Sequence, residues 1–460
     1  MSTVKAAVGG NKMGTWPIGK LLVNMALPLV ISMLVQALYN VVDSIYVSRI
    51  SESAVTALSL AFPIQNLLIG FATGVGVGVN SLLSKSLGEQ NHERANRTAG
   101  NGFVLACLFC ALFVIFGLFF ARPFFAGQTT VTETLEGGTV YLAICCVGSI
   151  GIFIEVLYER LLQASGHAFQ SMITQTVGAV TNIILDPILI FGWFGLPKMG
   201  IAGAALATVT GQWAAAGLAM ILNRKYNLEL KDMGRRHFKP DGYVIRTILS
   251  VGVPSIIMVG IGSIMNFGVN QILQNISETE TPTSVFGIYF KLQSFFFMPL
   301  FGINNAVISI VAFNYGARQP DRMMKTVKLA SFAALGIMLA GLAIFQFFPD
   351  VLLSIFEPSA EFMRIGVRAL RTISWCFPVA AVCIILGSTF QALGTGIYAT
   401  LVSLARQLIV LLPAAYLLSL SGEVTHVWWA WPIAESMGLT MTVFLFLRNY
   451  RQRIRPLYED

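Results

Sequence analysis

Long apolar runs alternate with short polar stretches along almost the whole chain. A helix needs about 20 apolar residues to cross the hydrocarbon core of a bilayer. Windows of that kind fall near 18–47, 54–86, 99–120, 138–164, 168–193, 200–223, 245–275, 283–314, 327–348, 368–392, 397–419 and 426–448. Within each window the apolar residues run continuously rather than alternating, so helices are expected and not the strands of a barrel. Twelve spans of about 22 residues use about 264 positions, which leaves short loops and no room for a soluble domain. The pattern predicts an all-α polytopic membrane protein.

Composition agrees. The 460 residues include 30 Lys+Arg and 22 Asp+Glu, 11% charged against 55% hydrophobic. A soluble domain carries about 25% charged residues, and a disordered chain is poor in apolar and aromatic ones. Both classes are excluded. With the N-terminus inside, 22 of the 30 basic residues fall on the cytoplasmic side, among them Lys5, Lys12, Lys20, Lys85, Arg94, Lys231, Arg322 and Arg453. Six fall at the outer ends (Arg49, Arg122, Lys198, Arg364, Arg368, Arg371), and Lys291 and Arg406 lie within spans. The net charge of +8 is then a topology signal, with both termini cytoplasmic, and a nucleic-acid partner is not expected. Residues 1–16 are polar and do not read as a signal peptide. The expected location is the cytoplasmic (inner) membrane. The six cysteines all lie in apolar spans, and the Cys107/Cys110 spacing has no second pair or His beside it. Packing is the expected role.

The two halves match. At an offset of 228, Gln65, Gly74, Val79, Ser81, Gly88 and Arg94 meet Gln293, Gly302, Val307, Ser309, Gly316 and Arg322. The same offset pairs Gln163, Ala164 and Gly166 with Gln391, Ala392 and Gly394, while Pro28 meets Pro254 at 226. Six spans separate the copies, so both run the same way through the bilayer, as in transporters that alternate access around a central cavity. The expected division is an N-lobe (1–225), a cytoplasmic linker (226–242) and a C-lobe (243–460).

Ionisable residues inside spans are functional candidates, because each costs several kcal/mol unless it faces protein or water. They are Asp43, Glu155, Glu159, Asp186, Lys291, Arg406 and Glu435. Asp43 and Asp186 lie at similar depth near the outer ends of spans one and five, and Asn182 is one turn below Asp186 on the same face. Pro187 removes a backbone donor beside them. Two carboxylates with amide and carbonyl oxygens suit a hard cation such as Na+, or a proton. The counterpart of Asp43 in the second half is Val269, so this site belongs to the N-lobe. Asn40, Glu155, Tyr39, Phe153 and Tyr289 are candidate substrate contacts because they share spans with these polar positions. Glu159 is expected to partner nearby basic residues. Lys291 and Glu435 are expected to pair with each other or with Arg406. The run GVGVGV at Gly74–Val79 lies inside an apolar span and reads as close helix packing.

The stretches ALPLVISMLVQALYNVVDSIYVSRI, ERLLQASG, NIILDPILIFG and GIAGAALATVTGQ, in this order, resemble the MATE (multidrug and toxic compound extrusion) family over nearly the whole chain. The resemblance implies a monomeric twelve-helix transporter that exports amphipathic organic cations in exchange for Na+ or H+, with no cofactor. In the DinF-like branch the coupling site is associated with an Asp of span one and an Asn-x-x-x-Asp of span five, which match Asp43, Asn182 and Asp186. A Thr of span six is also implicated, and Thr208 is the nearest match. Spans seven and ten lack the acidic residues of the NorM-like branch. The alternatives are a lipid or lipid-linked oligosaccharide flippase of the same superfamily, and an intramembrane enzyme. The second lacks a nucleophile and base at one depth.

Overall fold

The computed structural model describes residues 11–230, 234–276, 279–356 and 359–459. Lys5 and Lys231, counted above on the basic side, lie outside them. Among the described residues every regular element is helical. Twelve spans follow the apolar windows: α1 Ile18–Ser48, α2 Glu52–Gly88, α3 His92–Phe119, α4 Thr132–Val147 with Ile150–Ala164, α5 Ala168–Phe191 and α6 Ile201–Tyr226 form one lobe. The second lobe holds α7 Gly242–Ile276, α8 Thr281–Gly316, α9 Pro320–Phe347, α10 Ala360–Ser374 with Phe377–Ala392, α11 Gly396–Ser419 and α12 Val424–Tyr458. Several helices begin a turn or more before their apolar windows. Polar caps carry them there: Asn91 Oδ1 accepts from Arg94 N at 2.9 Å, and Ser359 Oγ from Phe362 N at 3.2 Å.

The duplication is visible in details that hydrophobicity does not dictate. Spans α4 and α10 are both broken, with bends of 43° and 46°. Helix α2 ends with Gln90 at φ 56°, and α8 with Arg318 at φ 52°. In each case the next amide reaches back five residues, Asn91 N to Ser86 O and Gln319 N to Asn314 O, both at 2.9 Å. This is a Schellman end, built with left-handed residues other than glycine. Arg94 Nε then donates to Ser86 Oγ, and Arg322 Nε to Asn314 Oδ1, again both at 2.9 Å. Gly166 (φ 89°) and Gly394 (φ 72°) close α4 and α10 in the same way.

The lobes meet through small residues. A Cβ on Gly88 would overlap the Phe313 carbonyl, and one on Gly316 would overlap the Lys85 carbonyl. These two contacts are copies of each other, because 85 and 313 are also counterparts; a pseudo-two-fold axis passes between α2 and α8. Gly74 and Gly78 of the GVGVGV run pack on Gly252, Ile256 and Ile248 of α7, which is the packing role expected of them. Further contacts join Ser81 Oγ to Gln391 O (2.8 Å), Ser309 Oγ to Asn80 Oδ1 (3.0 Å) and Asn66 Nδ2 to Ser263 Oγ (3.1 Å). The connection between the lobes is pinned to α3, where Arg97 pairs with Asp241 at 3.0 Å and Arg236 with Glu93 at 3.2 Å. The amide of Val244 and the Arg97 guanidinium hold the Asp241 carboxyl below its usual range. All these contacts lie between the basic end and mid-span.

Candidate cation-coupling site

Helix α5 buries a polar edge: Ser171, Thr174, Gly178, Asn182 and Asp186 recur every three or four residues and are all buried. Asp186, near the end away from the basic loops, is 0% exposed, and neither carboxylate oxygen meets a hydrogen-bond donor among the described residues. Asp43 of α1 stands against it, close enough for the two carboxyl groups to interact directly, and Asp43 Oδ1 is also buried and unpartnered. Asn182 Nδ2 donates to Thr208 Oγ1 of α6 at 3.2 Å, which leaves Asn182 Oδ1 free. Tyr39 lies one turn below Asp43 on α1. Pro187 has no N–H for the carbonyl of Ile183.

Two facing carboxylates in a bilayer repel each other and have lost water, and several kcal/mol per group is at stake. What relieves such a site is positive charge. A proton shared between the acids would do so, and so would a hard cation held by the oxygens of Asp43, Asp186, Asn182 and Thr208. Asp43 and Asp186, singled out by depth, lie together, with Asn182 one turn below Asp186 on α5.

Other candidates fall elsewhere. Phe153 and Tyr289 are each 1% exposed. Phe153 packs near Phe113 in the N-lobe core, and Tyr289 donates to Gln293 Oε1 at 2.7 Å inside the C-lobe. They are packing residues, because neither offers surface to a ligand in this state. Asn40 is exposed on α1. Glu155 does not join the Asp43/Asp186 group but stands against α5, its Oε1 3.6 Å from where a Cβ on Gly178 would sit. Glu159 accepts from Thr174 Oγ1 at 3.1 Å rather than from a basic side chain. Sequence reasoning passed over Gln65 and Tyr141, which bond to each other at 2.9 Å next to Cys145. Gln65 had one signal, its match to Gln293 in the repeat.

In the C-lobe, Glu435 pairs with Arg406 at 2.6 Å and not with Lys291. Arg406 lies in a π-helical turn, Ala405–Leu411. Lys291 is exposed and meets no carboxylate among the described residues. It is eleven residues, about three helical turns, from Gly302, which packs on Leu29 and Val30 of α1. Lys291 is therefore on the face of α8 that packs on α1 three turns further along, and the spacing alone could not choose its partner. Removing one member of the Arg406–Glu435 pair leaves a charge in the lobe. Glu435→Gln is expected to destabilise by about 3–5 kcal/mol, whereas Arg406→Met with Glu435→Leu is expected to be near neutral. Thermal unfolding in detergent reads both, and a Glu435→Gln protein as stable as the parent would show that the pair is not buried in effect.

A model of the MatE family matches residues 28–188 and again residues 254–417. The chain belongs to the MatE family. The first match begins at Pro28 and the second at Pro254, the pair that the internal repeat aligns. This MatE-family chain is 27% identical over 431 residues to the probable multidrug resistance protein YoeA of Bacillus subtilis, covering 90% of each chain. It is 24% identical over 433 residues to the multidrug export protein MepA of Staphylococcus haemolyticus, covering 94% of each. A crystal structure of a MATE protein in complex with MaL6 superposes with a TM-score of 0.88 at 25% identity over 100% of both chains. The family and these relatives are transporters, and the chain is a multi-pass membrane protein with their twelve-helix fold.

Proposed function

We propose that this MatE-family protein exports amphipathic organic cations by alternating access, driven by inward flow of H+ or Na+ through the Asp43, Asn182, Asp186 and Thr208 group. The observation that carries the reading is Asp186, fully buried beside Asp43 with both oxygens unpartnered. The names of the export relatives supply the class of substrate. In this reading the basic end, with both termini, faces the cytoplasm, the central cleft of the cycle lies between the lobes, and the protein acts as a monomer.

In the outward state the ion neutralises the facing carboxylates, and α1 shifts against α5. The ion favours one arrangement and the cation substrate the other, which couples their movements; a ligand shifts an equilibrium only by its differential affinity. The negative site and the aromatic residues around it attract a cation until the ion arrives. The test is export of a fluorescent organic cation from proteoliposomes under a pH gradient alone and a Na+ gradient alone. One of the two is expected to drive uphill export. If neither does, the antiport reading fails.

A further inference from the structure

The polar edge of α5 does not stop at Asn182. Below it come Gly178, Thr174 (0% exposed) and Ser171 (2% exposed), which lead to the basic end. The second half of α4 carries a matching edge at Glu155, Glu159 and Gln163, one turn apart. The two edges meet rung by rung. Glu155 stands at Gly178, Thr174 Oγ1 donates to Glu159 Oε1 at 3.1 Å, and Gln163 Nε2 donates to Ser171 Oγ at 2.9 Å. Arg160 closes the ladder by donating to Gln163 Oε1 at 2.9 Å.

Helix adhesion accounts for the lower two rungs, since hydroxyl and amide contacts hold spans together in lipid. It does not account for Glu155. Its carboxyl makes no hydrogen bond among the described residues, and the glycine opposite leaves it room. An apolar side chain would pack there without the cost of a carboxyl in lipid. At the head of the same edge stands Asp186, fully buried with no donor. Polar groups therefore run along this edge from Asp186 to the basic end, with carboxyl groups at Asp186, Glu155 and Glu159. The widest gap is from Asp186 to Gly178, where Glu155 stands, eight residues or about 12 Å along the helix axis.

We propose that Glu155, followed by Glu159, is a second proton-binding station of the N-lobe, through which protons leave Asp43 and Asp186 for the cytoplasm without entering the cleft. A proton leaves the Asp186 carboxyl, crosses this gap through water, and the Glu155 carboxylate takes it up. Glu155 passes it to Glu159, and Glu159 releases it past Thr174 and Ser171 to water at the basic end. No bond other than O–H changes. The charged groups facing this route are Glu155, Glu159 and Arg160 of α4, and no ionisable side chain of α5 lies below Asp186.

This rests on the coupling reading above, and the experiment separates the two. Reconstituted parent, Glu155→Gln, Glu155→Asp and Asp186→Asn proteins are assayed for export of a fluorescent cation, with pyranine reporting proton movement and counterflow reporting exchange without a gradient. Glu155→Gln is expected to lose proton-driven export about tenfold while keeping counterflow, and Glu155→Asp to restore it. Glu155→Gln with the parent's export rate and proton-to-drug ratio overturns the station. So does loss of counterflow in both Glu155 variants, which would make the residue structural. A parent driven by Na+ alone also overturns it but leaves the coupling site standing. Full export by Asp186→Asn overturns the coupling site whatever Glu155 does.

Discussion

Asp186→Asn is expected to reduce uphill export to background while the protein still inserts and binds substrate. The amide keeps the shape of the carboxyl but takes up neither a proton nor a compensated cation. The drug then has no partner ion to exchange against. Linkage between two ligands of one transporter is worth about 1–3 kcal/mol, or roughly 5–150-fold in affinity, so a loss towards 100-fold is the expected scale. Asp43→Asn should follow the same direction with a smaller effect, because Asp43 is only half-buried and Asp186 is fully so. Uphill export by both variants at the parent's rate would remove the carboxylate pair from the mechanism.

Gly88→Ala and Gly316→Ala are expected to be nearly as damaging, for a reason unrelated to charge. Each glycine faces a backbone carbonyl of the other lobe with no space for a methyl group. Backbone cannot swing aside as a side chain can, so the lobes must separate at their basic ends. Overpacking typically costs about 1–3 kcal/mol, and here it falls on the contact that the proposed cycle uses as its cytoplasmic seal. Leak of a small dye through reconstituted protein should rise, and uphill export should fall. Gly217→Ala and Gly336→Ala are the controls, since a Cβ added at either meets nothing within 4 Å. If the axial variants behave like these controls, the contact is not the seal.

The spans were legible because a bilayer asks for one thing, a continuous apolar run, and twelve such runs stand in the chain. The repeat was legible because loop glycines and the Arg94/Arg322 pair answer to geometry rather than to lipid. The breaks in α4 and α10 were not. Around Val147–Ser149 only Gly148 and Ser149 interrupt the apolar run, and in α10 Pro378 follows the break, signals too slight to separate a bend from a continuous span. In the site, charge made Asp43 and Asp186 conspicuous and one-turn spacing added Asn182. Thr208 came from family resemblance alone, yet it lies 3.2 Å from Asn182 Nδ2. Aromatic residues misled the reading, because Phe153 and Tyr289 look the same in sequence whether they line a cavity or fill a core. The partner of Glu435 was ambiguous because two spans can bring either Lys291 or Arg406 to its depth. Which of the two it meets depends on helix rotation, which an all-apolar face leaves unmarked.

The Arg406–Glu435 pair has a meaning that only the symmetry of the chain discloses. Carried back by the repeat offset of 228, Arg406 falls on Gly178 and Glu435 on Ala207. The notch that accommodates Glu155 in one half is thus filled in the other by a guanidinium locked to a carboxylate. Duplication of an ion-conducting half would produce two parallel leaks across the membrane. Under the coupling proposed above, this filling leaves the second half an electrical insulator, and the gradient is expected to discharge through one lobe only.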